Sequence, residues 1–145
     1  MSIKSKKQKP RKSFKRFLML PHDVTDSDAF KSLSAHAVKL LIDICQQYYG
    51  CNNGDFTVAW SYMRKRGWKS RDTLGRKLKE LIDAGFIEQT RQGGKHQCNL
   101  YAMTWEAIDE CKGKLDVKET RVASRLWKKR DTVIDKTNTT GGTHN

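Results

Sequence analysis

Apolar residues in the central part of the chain recur at helical spacing in two stretches. Ala37, Leu40, Leu41, Ile44, Cys45 and Tyr48 form one wide stripe, with His36, Lys39, Asp43 and Gln46 opposite. The pattern predicts a helix capped by Ser34, running to Tyr49 and ended by Gly50. Leu74, Leu78, Leu81 and Ile82 make a second stripe, on a helix capped by Ser70 and terminated by Gly85. Between the two, the turn "CNNGD" leads into a minimal strand at 56–58 and a shorter helix over 59–66, broken by Gly67. Upstream, a short helix is predicted over 27–33 with Asp26 as its cap. After Gly85 the period changes. "FIEQTR" and "CNLYAMT" read as two strands around Gly93 and Gly94, a hairpin, with a last helical turn or two over 104–111.

Charge changes this picture more than composition does. The 145 residues suit one domain with tails, and they carry a formal charge of +13. Residues 1–16 hold eight Lys or Arg and no acid; residues 111–145 hold nine basic and four acidic groups; residues 17–110 hold twelve of each. Within that neutral middle, residues 64–79 carry eight basic groups against one acid, Asp72. The expected body is therefore polarised, with one positive face of the kind that steers association with polyanions. The organisation follows: a disordered basic arm at 1–16, a folded domain at 17–111, a basic segment at 112–130 and a disordered polar tail at 131–145. Leu115, Val122 and Leu126 are spaced to form one side of a helix in the third of these, with Trp127 at its edge. That helix would dock a protein partner or a second copy of the chain, or would add a DNA contact.

Several function classes are disfavoured. The apolar run at 17–20 is too short for a signal peptide or membrane span, so no membrane association is expected. Cys45, Cys51, Cys98 and Cys111 show no paired spacing, which suits the reducing cytoplasm and implies no metal; Cys98 alternates with Leu100 as a strand residue would. His22 and His36 have no nucleophile partner, and no paired carboxylates or phosphate-binding loop appear, so neither an enzyme nor a cofactor is expected. Trp60, Tyr62 and Trp68 suit packing between helices better than stacking on unpaired bases.

Three helices followed by a hairpin, with "SRDTLGRKLKELIDAGFIEQTRQGG…YAMT" inside them, resemble the winged helix-turn-helix domains of bacterial and phage regulators and replication-initiation proteins. The likeness covers residues 33–104. It implies an α+β, mostly α fold, with a three-helix core, a β-hairpin wing and basic tails outside the shared pattern. The physics of the site runs the same way. A B-DNA major groove admits one helix, and placing Leu74, Leu78 and Leu81 inward turns Lys69, Asp72, Thr73 and Arg76 outward. Arg can fork onto guanine, Thr can meet a base edge, and Asp72 lies one turn before Arg76, where it can hold the guanidinium. Ser70 and Arg71 sit where a helix N-terminus favours phosphate, Lys77 and Lys79 extend the basic surface, and Arg91, Lys95 and His96 would reach DNA from the wing. The expected partner is double-stranded DNA and the expected use is transcription regulation. The alternatives are replication initiation or maintenance for a phage or plasmid, and a protein-binding adaptor.

Overall fold

The computed structural model describes residues 15–129. The elements are α1 (His22–Thr25), α2 (Asp28–Lys31), α3 (Ala35–Cys45), α4 (Trp60–Met63) with a 3-10 turn at Arg64–Arg66, α5 (Arg71–Ala84), β1 (Ile87–Arg91), β2 (Leu100–Met103) and a 3-10 turn at Cys111–Gly113. They make a small α+β fold in which the helices share one core with a two-stranded antiparallel hairpin. No helix among the described residues is long and apolar enough to cross a membrane. Apart from Lys15 and Arg16, the expected arm at 1–16 and the tail at 131–145 lie outside the described residues.

Helix α3 starts as its sequence dictates. Ser34 Oγ accepts the N–H of Ala37 at 3.2 Å, and Ala37, Leu40, Leu41, Ile44 and Cys45 are buried along one face. It ends at Cys45, short of the predicted Tyr49. The cause lies in the "CNNGD" turn. The Asn52 side chain accepts the N–H of Tyr49 and donates to the Gln47 carbonyl, both at 2.9 Å, and these bonds hold the chain in a turn. Gly50, with φ +109, belongs to that loop and does not cap the helix. At α2 the cap is Ser27, whose Oγ accepts from the Phe30 N–H at 3.1 Å, and not Asp26. The turn of α1 has no counterpart in the predicted elements.

Helix α5 is capped by Ser70, which accepts the Thr73 N–H at 3.2 Å, and Gly85 leaves it at φ +89. Leu74 and Leu81 point into the core, while Leu78 and Ile82 are only half-buried at its edge. The hairpin pairs Ile87 with Met103 and Gln89 with Tyr101, and its register shifts between Gln89 and Arg91. Thr90, at that irregularity, is buried and its hydroxyl donates to the Gly54 carbonyl at 2.6 Å. The predicted strand at 56–58 is reduced to a single bridge, in which Phe56 and Tyr101 exchange backbone bonds of 2.9 and 3.2 Å.

The chain after β2 departs most from its prediction. No helix forms over 104–111 beyond a turn. Instead this stretch is gathered around Asn53, which is fully buried and donates from its amide to the carbonyls of Met103, Glu106 and Ala107 while accepting the Met103 N–H. Residues 114–125 contain no helix either, so Leu115, Val122 and Leu126 share no helical side; the chain turns helical only at 126–129. The segment runs back over the domain. Asp116, Thr120 and Arg125 donate their backbone N–H groups to Thr90, Ile108 and Thr104. It ends with Trp127, fully buried, stacked on Phe86 at 5.8 Å and edge-on to Trp105 at 6.5 Å. Indole area of this size gains more by entering the core than by remaining on an exposed helix. The expected helix over this segment, with Trp127 at its edge, does not form, and the indole is buried in the core.

Candidate nucleic-acid interface

The surface built around α5 begins with a buried charge on another helix. Asp43 of α3 lies 4% exposed and receives four hydrogen bonds from three side chains. Lys39 Nζ is 2.7 Å away, Arg66 meets the carboxylate from two nitrogens at 3.0 and 3.1 Å, and Trp68 Nε1 donates at 2.9 Å. Burial alone would raise this carboxyl. The bonds from Lys39, Trp68 and Arg66, with the Lys39 charge, outweigh it and hold the group below its ordinary range. Arg66 and Trp68 flank Gly67, whose φ of +98 turns the chain from α4 toward α5. Asp43 thus fixes the turn that aims α5.

A second carboxylate sets the other side. Glu80 accepts the Ser34 N–H at 2.8 Å and the Ser34 hydroxyl at 2.9 Å, tying α5 to the start of α3. Burial would raise the Glu80 carboxyl, but the two Ser34 bonds and Lys77 prevail and lower it. Arg71 crosses from α5 to the Trp60 ring of α4, 5.6 Å from its centroid. Between these anchors, the outward face carries Lys69, Asp72, Arg76 and Lys79. Arg76 Nε lies 3.1 Å from Asp72 and its Nη2 3.4 Å from Thr73 Oγ1, so the guanidinium is held along the helix with 60% of the side chain exposed. Lys79 pairs with Asp83 at 2.8 Å.

Lys69, Ser70, Arg71, Asp72, Arg76 and Lys79 are exposed in and just before α5, as are Arg64 and Lys65 in the preceding 3-10 turn, and Arg76 links Asp72 to Thr73. Lys77 does not join them. Its side chain is 18% exposed and turned toward Glu80 at 3.4 Å, because position 77 falls on the α3 side of the helix. Thr73 is half-buried and engaged by Arg76, and Ser70 is occupied as a cap. Arg91 is also committed: Nε and Nη2 donate to the Cys98 carbonyl at 3.2 and 2.8 Å, closing the neck of the hairpin. At its tip, Gly94 donates to the Gln97 carbonyl at 2.9 Å, which places Lys95 and His96 in the exposed middle of a tight turn. The cysteines are free, with Cys45 buried and Cys98 exposed, and no cluster of three or more metal-binding side chains occurs among the described residues.

Sequence reasoning placed Asp43 on a polar face and missed its burial, and it did not foresee the tie that Glu80 makes to Ser34. An acid four residues after Lys39 on α3 was the available signal for the first. Nothing local marked Glu80, whose partner lies 46 residues away. Compared with family models, curated proteins and solved structures, the chain matches none of them, so the interface stands on its own geometry.

Proposed function

We propose that the chain is a winged helix-turn-helix protein that binds double-stranded DNA, without catalysis or cofactor, as a cytoplasmic regulator of transcription. The order α3, Phe56 bridge, α4, α5, β1, β2 supports the fold assignment, with α5 as the groove-reading helix and residues 91–97 as the wing. The observation that carries the reading is the outward face of α5. Its cations Arg76 and Lys79, with Lys69 just before the helix cap, are exposed, and the Arg76 guanidinium is oriented in advance by Asp72 and Thr73. An Arg fixed in this way loses little side-chain freedom on forking onto guanine. The adaptor alternative has less to support it, because Trp127, which it would offer to a partner together with the winged helix, is buried. The alternative, replication initiation or maintenance for a phage or plasmid, would use the same interface.

The test is a titration of a duplex chosen from a random pool, and of a scrambled duplex, at two salt concentrations. Neutralising about six to ten phosphates lowers affinity by roughly 10³–10⁵ between 50 and 200 mM salt. Arg76→Ala is expected to cost about 1–3 kcal/mol on the selected duplex and little on the scrambled one. Lys79→Ala should weaken both alike and reduce the salt slope by about one. A flat salt response, or equal losses on both duplexes for Arg76→Ala, would refute base reading by α5.

A further inference from the structure

Gly75 has no explanation inside the protein. A Cβ placed there meets no atom within 4 Å, and its φ lies outside the positive range that favours glycine. The contrast with other glycines is sharp: Gly85 adopts φ +89 and would bring a Cβ within 2.6 Å of the Trp127 nitrogen, and at Gly93 a Cβ would strike the Gln97 carbonyl oxygen. Gly75 instead sits in the interior of α5, exposed, where alanine makes a more stable helix because it has less backbone freedom to lose. Its neighbours along the helix give the position a meaning. Arg71 lies one turn before it and Lys79 one turn after, both exposed, and Arg76 follows directly. Along this row the helix carries Arg71, whose guanidinium lies over the Trp60 ring, then the gap, then Lys79 paired with Asp83, successive positions being about 5–6 Å apart.

We propose that Gly75 is a clearance for the nucleic acid. The sugar–phosphate ridge of the duplex seats against bare helix backbone at this position, between Arg71 and Lys79, and a side chain would hold the helix away from it. Close approach of backbone to ligand is a role that only glycine fills without steric conflict. The inference rests on the DNA reading and names the place of nearest contact within it.

The test pairs thermal unfolding with duplex titration for Gly75→Ala and Gly75→Gln. Both variants should melt a few degrees above or close to the parent, Gly75→Ala the higher. The dissociation constant for the selected duplex should rise about tenfold or more for Gly75→Ala, and further for Gly75→Gln. The salt slope should stay unchanged, since no charge is removed. A Gly75→Ala protein that melts higher yet binds within about twofold of the parent overturns the clearance. So does one that melts lower, which would place the need for glycine inside the fold. Loss of affinity on Arg76→Ala but not on Gly75→Ala sinks only the clearance; a parent protein without salt-dependent duplex binding sinks the DNA reading as well.

Discussion

Replacing Asp43 by Asn removes one charge from the centre of the α3–turn–α5 junction and changes little else in size. The carboxylate accepts from Lys39, Arg66 and Trp68, and it is almost wholly buried. A hydrogen bond to a charged group contributes about 1.5–3 kcal/mol net. Lys39 and Arg66 keep 47% and 35% of their side-chain exposure, so water replaces part of what they lose and the lower end applies to each. An Asn oxygen can still accept the Trp68 N–H, while its amide faces two cations. The expected loss for Asp43→Asn is about 2–4 kcal/mol, and about 3–5 kcal/mol for Asp43→Ala, which also strands the buried indole N–H. Urea unfolding at pH 7 measures both. The pH dependence supplies a second check. Because the native carboxyl titrates below its ordinary value of 3.8, the unfolded chain takes up the proton first as pH falls. The stabilisation is therefore complete above that value and disappears as pH drops through it toward the lower native one. The gap between parent and Asp43→Asn should stay constant from pH 7 to about 5 and close below about pH 4. Equal urea midpoints at pH 7, or a gap that widens in acid, would refute the argument.

Trp127→Ala should cost about 3–5 kcal/mol in urea unfolding, because it empties a slot between Phe86 and Trp105 that backbone cannot collapse to fill. A loss below about 1 kcal/mol would mean that the C-terminal segment does not pack as described. Leu81→Ala should cost about 2–5 kcal/mol, and Leu78→Ala distinctly less, since Leu81 is fully buried and Leu78 lies at the rim of the core. The reverse order would show that the inward face of α5 is rotated from its assignment.

The sequence by itself determined what depends on near neighbours along the chain. Ser34 and Ser70 cap α3 and α5 because a hydroxyl reaches an N–H three residues ahead with no help from elsewhere. Gly85 ends α5, two strands around a glycine turn form a hairpin, and Asp72 meets Arg76 one turn on for equally local reasons. The charge asymmetry that marks the face of α5 was also legible, being a property of composition and spacing. Contacts between distant segments decided the rest. Helix α3 stops at Cys45 because Asn52 folds back onto it, and Asn53 gathers the chain 50 residues later. Glu80 faces Ser34 instead of solvent, which draws Lys77 off the interface, and Arg91 closes the hairpin neck instead of reaching outward. Trp127 belongs to the core because Phe86 and Trp105 leave it a slot, and Gly85 lets its backbone pass. A hydrophobic pattern records that a residue gains by leaving water; which surface receives it is fixed only when the elements meet.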